Sequence, residues 1–406
     1  MRISLKREIT LPLLIFYGLG NIIGAGIYVL IGEVAAISGY YAPLSFVAAC
    51  IVVIFTVFSY AELSARFPFS AAEAVYVKEG FGLKSPLLPV VVGFILAFSG
   101  LVSSAAVVSG FYGYVEVFIP FSREIVIFAL VFLLFAIAAW GIGESVKTAS
   151  FFTLIEIGGL LLVIGAGLYY ADFENIDFGR FVPKADISIM YSIFLGGFIA
   201  FFAFIGFEDM VNVAEEVKNP VKTLPKAIVI TITIATLLYF AIAFVSLIVM
   251  SPEELAASKA PLADVFMKAV GGDVRILHII GILAVINGAL VQIIMVSRVL
   301  YGMSSQGWLP EWLGRVHPYT KTPVYATAIV AAVVFFLAVW VKIVTLAQLT
   351  SFGILIVFTL INAALLNIKI KRKSRCEGIN VPFFVPIMGI ITNVALISLQ
   401  IYEYLG

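Results

Sequence analysis

The sequence predicts an all-α integral membrane protein of about eleven transmembrane helices, built as two halves of five with one interrupted helix in each. Three observations predict it. Hydrophobic residues make up 62% of the 406 residues and charged ones only 12%, against roughly 25% charged in a soluble domain. Apolar stretches of about 18 residues or more recur along the chain, each able to cross a hydrocarbon core of roughly 30 Å. Two of them, five stretches apart, carry glycines and polar residues where a membrane helix should be uniformly apolar.

The first stretch, 11–36, contains Gly20-Asn21-Ile22-Ile23-Gly24-Ala25-Gly26-Ile27-Tyr28. Glycine costs about 1 kcal/mol relative to alanine inside a helix, so this spacing invites unwinding near mid-membrane. Backbone freed at that depth is tolerated only where it is buried in protein or lines a cavity. The second stretch covers 43–66 and the fourth 124–143. The third, 87–116, and the eighth, 274–303, are unusually long and expected to tilt. The fifth, 148–170, places Glu156 near its middle.

The sixth, 188–213, runs through Phe201-Phe202-Ala203-Phe204-Ile205-Gly206-Phe207-Glu208-Asp209, a second expected break. Glycines at both places could instead permit close helix packing, but packing does not account for two adjacent acids. Interrupted helices at corresponding places in two halves point to an inverted repeat with a binding site between them. The seventh stretch is 226–250. Within 251–267, Pro252-Glu253-Glu254 and the amphipathic run after it read either as a lid helix or as a solvated connector. Stretches 324–342, 346–368 and 382–403 follow, with a basic run at 369–375. The expected organisation is one membrane domain over 1–406, with a first repeat at 8–170, a second at 187–370 and an extra C-terminal helix at 380–404.

Net charge is +1 and says little about partners, but the placement of Lys and Arg is informative. With the N-terminus in the cytoplasm, most basic residues fall on inward ends and loops, which is the bias that sets membrane orientation. An odd span count then puts the C-terminus outside. The location expected is the cell membrane, multi-pass, with the lipid bilayer as surroundings. Cys50 and Cys376 lie too far apart in this topology for a bridge. The first stretch is too long, and too well followed by further spans, for a cleaved signal peptide. No metal motif, phosphate loop or nucleophile–base pair occurs, so no catalysis, no cofactor and no nucleic-acid partner is expected.

The residues resemble a known family. Gly20–Ile27 is similar to the first-helix signature of the amino acid–polyamine–organocation (APC) superfamily. Phe204-Ile205-Gly206-Phe207-Glu208 and Asn212-Val213-Ala214-Glu215-Glu216-Val217-Lys218-Asn219-Pro220 resemble its sixth helix and the loop after it. Asn287-Gly288-Ala289 and Ser297-Arg298-Val299-Leu300-Tyr301-Gly302-Met303 resemble its eighth, and Arg66-Phe67-Pro68 with Tyr76-Val77 and Phe81-Gly82 also fits. The likeness covers about 8–370 and is closest to archaeal and bacterial amino-acid permeases. It implies the leucine-transporter-like fold. Two departures stand out: members commonly have twelve spans, and many sodium-independent relatives carry a lysine where this sequence has Glu156.

An amino acid presents a carboxylate and an ammonium on one carbon. Freed amides at Ala25, Gly26 and Ile27, at the positive N-terminal end of a half-helix, suit the carboxylate, and Gly24 and Gly26 let it approach the backbone. Released carbonyls at Ile22, Phe202, Ala203 and Ile205 suit the ammonium. The resemblance assigns the same positions to those roles and makes Phe202 an aromatic gate. Phe202 and Glu208 are the gate candidates, although a membrane Phe also packs and Glu208 also suits freed backbone. An apolar surround favours a small neutral substrate over a cationic one.

Glu156 has three readings: a proton carrier, a neutral hydrogen-bonded lock between helices, or a sodium ligand. An ionised carboxylate at a helix centre costs roughly 2.5–3.5 kcal/mol on insertion scales. The function expected is secondary transport of small, neutral amino acids by alternating access, with protons as the coupling ion. The alternatives are an amino-acid exchanger, an amino-acid-binding sensor or a channel.

Overall fold

In the computed structural model, residues 4–115, 121–174, 176–258, 260–271, 275–341, 344–371 and 376–405 are described. Side chains at 24–26, 28–29, 113–115, 278, 344–351, 400 and 402–405 lie outside that description.

The chain is helical at each of the eleven expected stretches. In order these are α1 (Leu11–Ser38), α2 (Ala42–Arg66), α4 (Leu87–Val115), α5 (Arg123–Trp140), α6 (Ile142–Tyr170), α7 (Ile187–Phe201), α8 (Pro220–Val249), α11 (Arg275–Ser305), α12 (Val324–Trp340), α13 (Val344–Lys371) and α14 (Phe384–Leu405). Among the described residues, eight helical runs are long and apolar enough to cross a membrane, and Leu11–Ile23, Val324–Trp340 and Phe384–Leu399 are shorter apolar helices.

Three short helices lie between the long ones: α3 (Ala72–Phe81), α9 (Pro252–Ala257) and α10 (Pro261–Val270). Prolines occupy the first turn of α1, α2, α8, α9 and α10, where the missing N–H has no helical partner to lose. Ser251 and Glu254 close a capping box on α9, which satisfies two orphan donors at once. The acidic segment after α8 is therefore folded rather than a solvated connector: α9 packs on α1 and α10 on α6.

The expected break in the first helix is not found. α1 runs without interruption from Leu11 to Ser38. A few glycines weaken a helix by only about 1 kcal/mol each, and α1 is surrounded by α6, α7, α8 and α11, whose packing holds it together. The sixth helix does break. α7 ends at Phe201, a 3-10 turn covers Phe202–Phe204, Ile205 is extended, and a second 3-10 segment runs Phe207–Glu216.

The long helices pair across the chain. α1 packs on α7, α2 on α8, α4 on α11 and α5 on α12, so spans one to four each lie against the span five places later.

Candidate functional site

Gly206 is the hinge of the broken helix. Its φ of 120° and ψ of −15° lie where a Cβ is not tolerated, and an added Cβ would sit 2.7 Å from Asn21 Nδ2. Backbone freed by the break must find other partners. The Gly206 N–H donates to Glu208 Oε2 at 2.8 Å, and the Gly206 carbonyl accepts from Asn21 Nδ2 at 2.8 Å. Glu208 thus accepts from backbone freed by the break, as one of the two readings open to it from the sequence expects.

Asp209 gathers two helices. Its Oδ2 accepts from Asn21 Nδ2 at 2.6 Å and from Gln292 Nε2 at 2.7 Å, and Gln292 Nε2 also reaches Asn21 Oδ1 at 3.0 Å. α1, α11 and the broken helix meet in this one polar knot.

A cavity of about 330 Å³ opens directly on it. Its floor is Asn21, Ile22, Phe202, Ile205, Gly206, Glu208, Asp209 and Gln292, and its walls are small and apolar residues of α4 and α11 with Ile354 of α13. The wall of α4 presents Ser99, Gly100, Ser103 and Ala106, and a Cβ on Gly100 would run into Val296, Met295 and Gln292. Two carboxylates line the space and, among the described residues, no basic side chain does. Such a chamber offers carboxyl oxygens as acceptors to an ammonium.

The cavity extends from the break along Leu96–Val107 of α4 and Met295–Ala284 of α11, away from the end of the bundle that carries the N-terminal arm. That other end is shut. Tyr60 packs on Phe207 and Phe358 at ring-centroid distances of 5.3 and 5.7 Å, and all three are fully buried. Below them Arg298 donates to both carboxylate oxygens of Glu216 at 3.1 and 3.0 Å, with neither side chain exposed. Ser70 N and Tyr301 OH hold Glu215 at 3.0 and 3.2 Å. The arm itself docks there, with Glu8 and Ile9 amides donating to the Glu216 carbonyl and Lys218 N donating to the Ile9 carbonyl.

The sequence-derived site residues divide into three groups. Ile22, Phe202, Ile205 and Glu208 line the cavity. Ala203 and Ile27 are buried and do not. Gly24, Ala25 and Gly26 lie in the unbroken part of α1, so their amides and that of Ile27 are not at a free half-helix start, which corrects the expectation; the Ala25 side chain lies outside the described residues. The carbonyls are partly engaged. Tyr239 OH stands 2.8 Å from the Ile22 carbonyl and 2.9 Å from that of Ala203, and the Phe202 carbonyl accepts from Ile205 N at 3.4 Å.

Glu156 is fully buried and apart from the cavity. Its Oε1 accepts from Asn287 Nδ2 at 2.8 Å, the same amide donates to Thr153 Oγ1 at 3.0 Å, and Oε2 has no partner among the described residues. Gly20 faces this group, since its Cβ would collide with Thr153 Oγ1 and Asn287 Nδ2. α1, α6 and α11 are joined here.

Asn21, Asp209, Gln292 and Tyr239 carry more of the site than their place in the sequence suggests. Asn21 sits inside the glycine-rich motif and Asp209 next to Glu208, so the signal for both was present. Tyr239 offers none, being one tyrosine in an apolar helix.

The family model described as amino acid permease matches residues 9–403. The chain is 29% identical to the branched-chain amino acid permease BcaP of Bacillus subtilis over 93% of its own length and 85% of that protein's. It is 30% identical to the methylthioribose transporter of the same organism, covering 96% of this chain and 87% of that one. It is 28% identical to the mitochondrial cationic amino acid transporter 3 of Arabidopsis thaliana, over 90% of this chain and 63% of the plant protein.

Proposed function

Because the chain belongs to the amino acid permease family of the APC superfamily, a family of membrane transporters and not of enzymes, we propose that it carries a small neutral amino acid by alternating access. The carrying observation is the cavity of about 330 Å³ whose floor is the broken helix and whose two charged residues are both acids. Its mouth lies away from the sealed end, as one of two alternating states requires. In this reading the N-terminal arm and the sealed end are cytoplasmic, and the cavity opens outward.

The substrate ammonium goes to the acid floor at Asp209 and Glu208, and its side chain to the apolar walls of Leu96, Val102, Val107, Met295 and Ile354. Closure brings Phe202 over the ligand. The inward movement is driven by protons, with Glu156 tying α6 and α11 together against Gly20 of α1.

One observation favours a second reading. Two acids without a lining base suit a cationic amino acid, whose extra charge would pair with the second carboxylate. Proteoliposome uptake and counterflow of labelled alanine, leucine and lysine separate the two. The neutral reading expects saturable counterflow of alanine or leucine, with excess lysine failing to compete. Asp209→Asn should weaken apparent affinity by about tenfold or more, the scale of a single charge-assisted hydrogen bond. Unchanged affinity in that variant would remove the ammonium from Asp209, and flux without saturation would make the protein a channel.

A further inference from the structure

A second cavity, of about 500 Å³, shares no lining residue with the first. It lies at the end of the bundle that carries the N-terminal arm, against the first turns of α8. Its walls are Phe58 of α2, the α8 face from Val221 to Ile230, and 377–379 before α14.

The α8 face changes character along its length. Lys222 and Lys226 are four residues apart and therefore neighbours on one side of the helix, and both are exposed. Val229 and Ile230 continue the same stripe one turn further into the apolar helix. No side-chain ion-pair partner is found for either lysine among the described residues. The opposite wall is built rather than loose. Cys376 N donates to Asn380 Oδ1 and Asn380 Nδ2 donates to the Cys376 carbonyl, both at 2.8 Å. A Cβ on Gly378 would lie 2.6 Å from Ala65 Cβ and 2.9 Å from the Val221 carbonyl, so the segment presses on α2 and on the start of α8. Buried Glu62 fixes it further, its Oε2 accepting from Val381 N and Lys369 Nζ at 2.8 and 2.7 Å.

The charge balance of this corner favours an anion. Glu377 is the one acid among the described residues of the wall, against Lys222 and Lys226, and the stretch 369–375 that precedes this wall in the sequence is basic. A charged rim that gives way to an apolar slot matches a lipid with an anionic headgroup, not a free anion, which would leave the slot empty. Basic clusters at a membrane face draw anionic lipids at about 1 kcal/mol per Lys or Arg. We propose that this cleft binds one anionic phospholipid, its phosphate between Lys222 and Lys226 and its acyl chain against Val229, Ile230 and Phe58.

The test is native mass spectrometry of the purified full chain, equilibrated with phosphatidylglycerol or with phosphatidylcholine of the same chain length. The wild type should retain one phosphatidylglycerol at least about fivefold better than phosphatidylcholine. Lys222→Gln with Lys226→Gln should cut that retention about tenfold, whereas Lys222→Arg with Lys226→Arg keeps it. Glu377→Gln should raise it, a response that lysines merely reaching for headgroups anywhere on the surface would not produce. Lys84→Gln with Lys147→Gln serves as the control for general surface charge. The proposal is overturned by equal retention of the two lipids, by an equal loss in the control pair, or by soluble glycerol phosphate displacing the lipid at matched concentration, which would assign the cleft to a free anion.

Discussion

Asp209 Oδ2 is held by amides from two helices, Asn21 on α1 and Gln292 on α11, at 2.6 and 2.7 Å. Both amide donors are neutral, so neither brings a positive charge that would compete with a ligand ammonium for this oxygen. Glu156 differs in kind. It accepts from one amide, Asn287 Nδ2, does not line the cavity beside Asp209 and lies within the α1, α6 and α11 junction, so its influence on transport would pass through helix position and not through substrate contact. Glu156→Gln keeps the shape and adds donors while removing titration. The expected outcome in proteoliposomes is retained substrate exchange with loss of accumulation driven by an inward proton gradient. Accumulation against a gradient by this variant would leave Glu156 as a lock between helices, and a sodium requirement in the wild type would point to the ion-ligand reading.

At the scale of elements, the broken helix owes its course to one residue. Gly206 alone joins the extended Ile205 to the 3-10 segment Phe207–Glu216, at a φ of 120°, and its carbonyl and N–H are both taken by side chains. Gly206→Ala therefore meets backbone strain and a clash with Asn21 at once. A loss of about 1–3 kcal/mol, the usual cost of a residue held in a sparsely populated backbone region, is expected in detergent unfolding, together with weaker ligand stabilisation. Normal ligand-induced thermal shifts in Gly206→Ala would mean that the hinge does not shape the site. The pairing of α1 with α7, α2 with α8, α4 with α11 and α5 with α12 interleaves the first four long helices with the four that begin at the broken one.

At the scale of the whole molecule, the two ends are unlike. One holds the acid-floored cavity; the other is closed by aromatic packing, the Glu216–Arg298 pair and the docked arm. A buried pair of this sort is costly to break because the partner left behind has no water to take it, so it suits a closure that must hold against leak. Glu73, on α3 at this closed end, adds a pH dependence. Asn212 Nδ2 donates to Glu73 Oε2 at 3.0 Å while Asn212 Oδ1 accepts from Ala72 N at 3.0 Å, which ties α3 to the broken helix. Burial raises the Glu73 carboxyl from 4.5 to about 8. The native state then holds a proton that the unfolded chain has released between about pH 4.5 and 8, so stability falls as pH rises through that window. Glu73→Gln should flatten this slope in thermal unfolding and make the variant the more stable form at pH 8. A slope unchanged from wild type would exclude Glu73 as its source.

The sequence by itself determined the class, the eleven helical stretches and the break at Gly206. Each follows from local chemistry: apolar length against bilayer thickness, and a glycine with two acids where hydrocarbon would reject them. It also singled out Phe202, Ile205 and Glu208, which line the cavity, because the motif that carries them is contiguous. It misjudged α1, where glycine spacing argued for unwinding and the packing of four neighbouring helices keeps the helix whole. Only the tertiary structure decided that Asp209, Asn21 and Gln292 meet, since they come from three helices up to 271 residues apart. It alone set Glu156 apart from the cavity and put Tyr239 between two carbonyls of different helices. Helix identity is written in short-range pattern, whereas the meeting of side chains depends on crossing geometry that no single stretch of sequence contains.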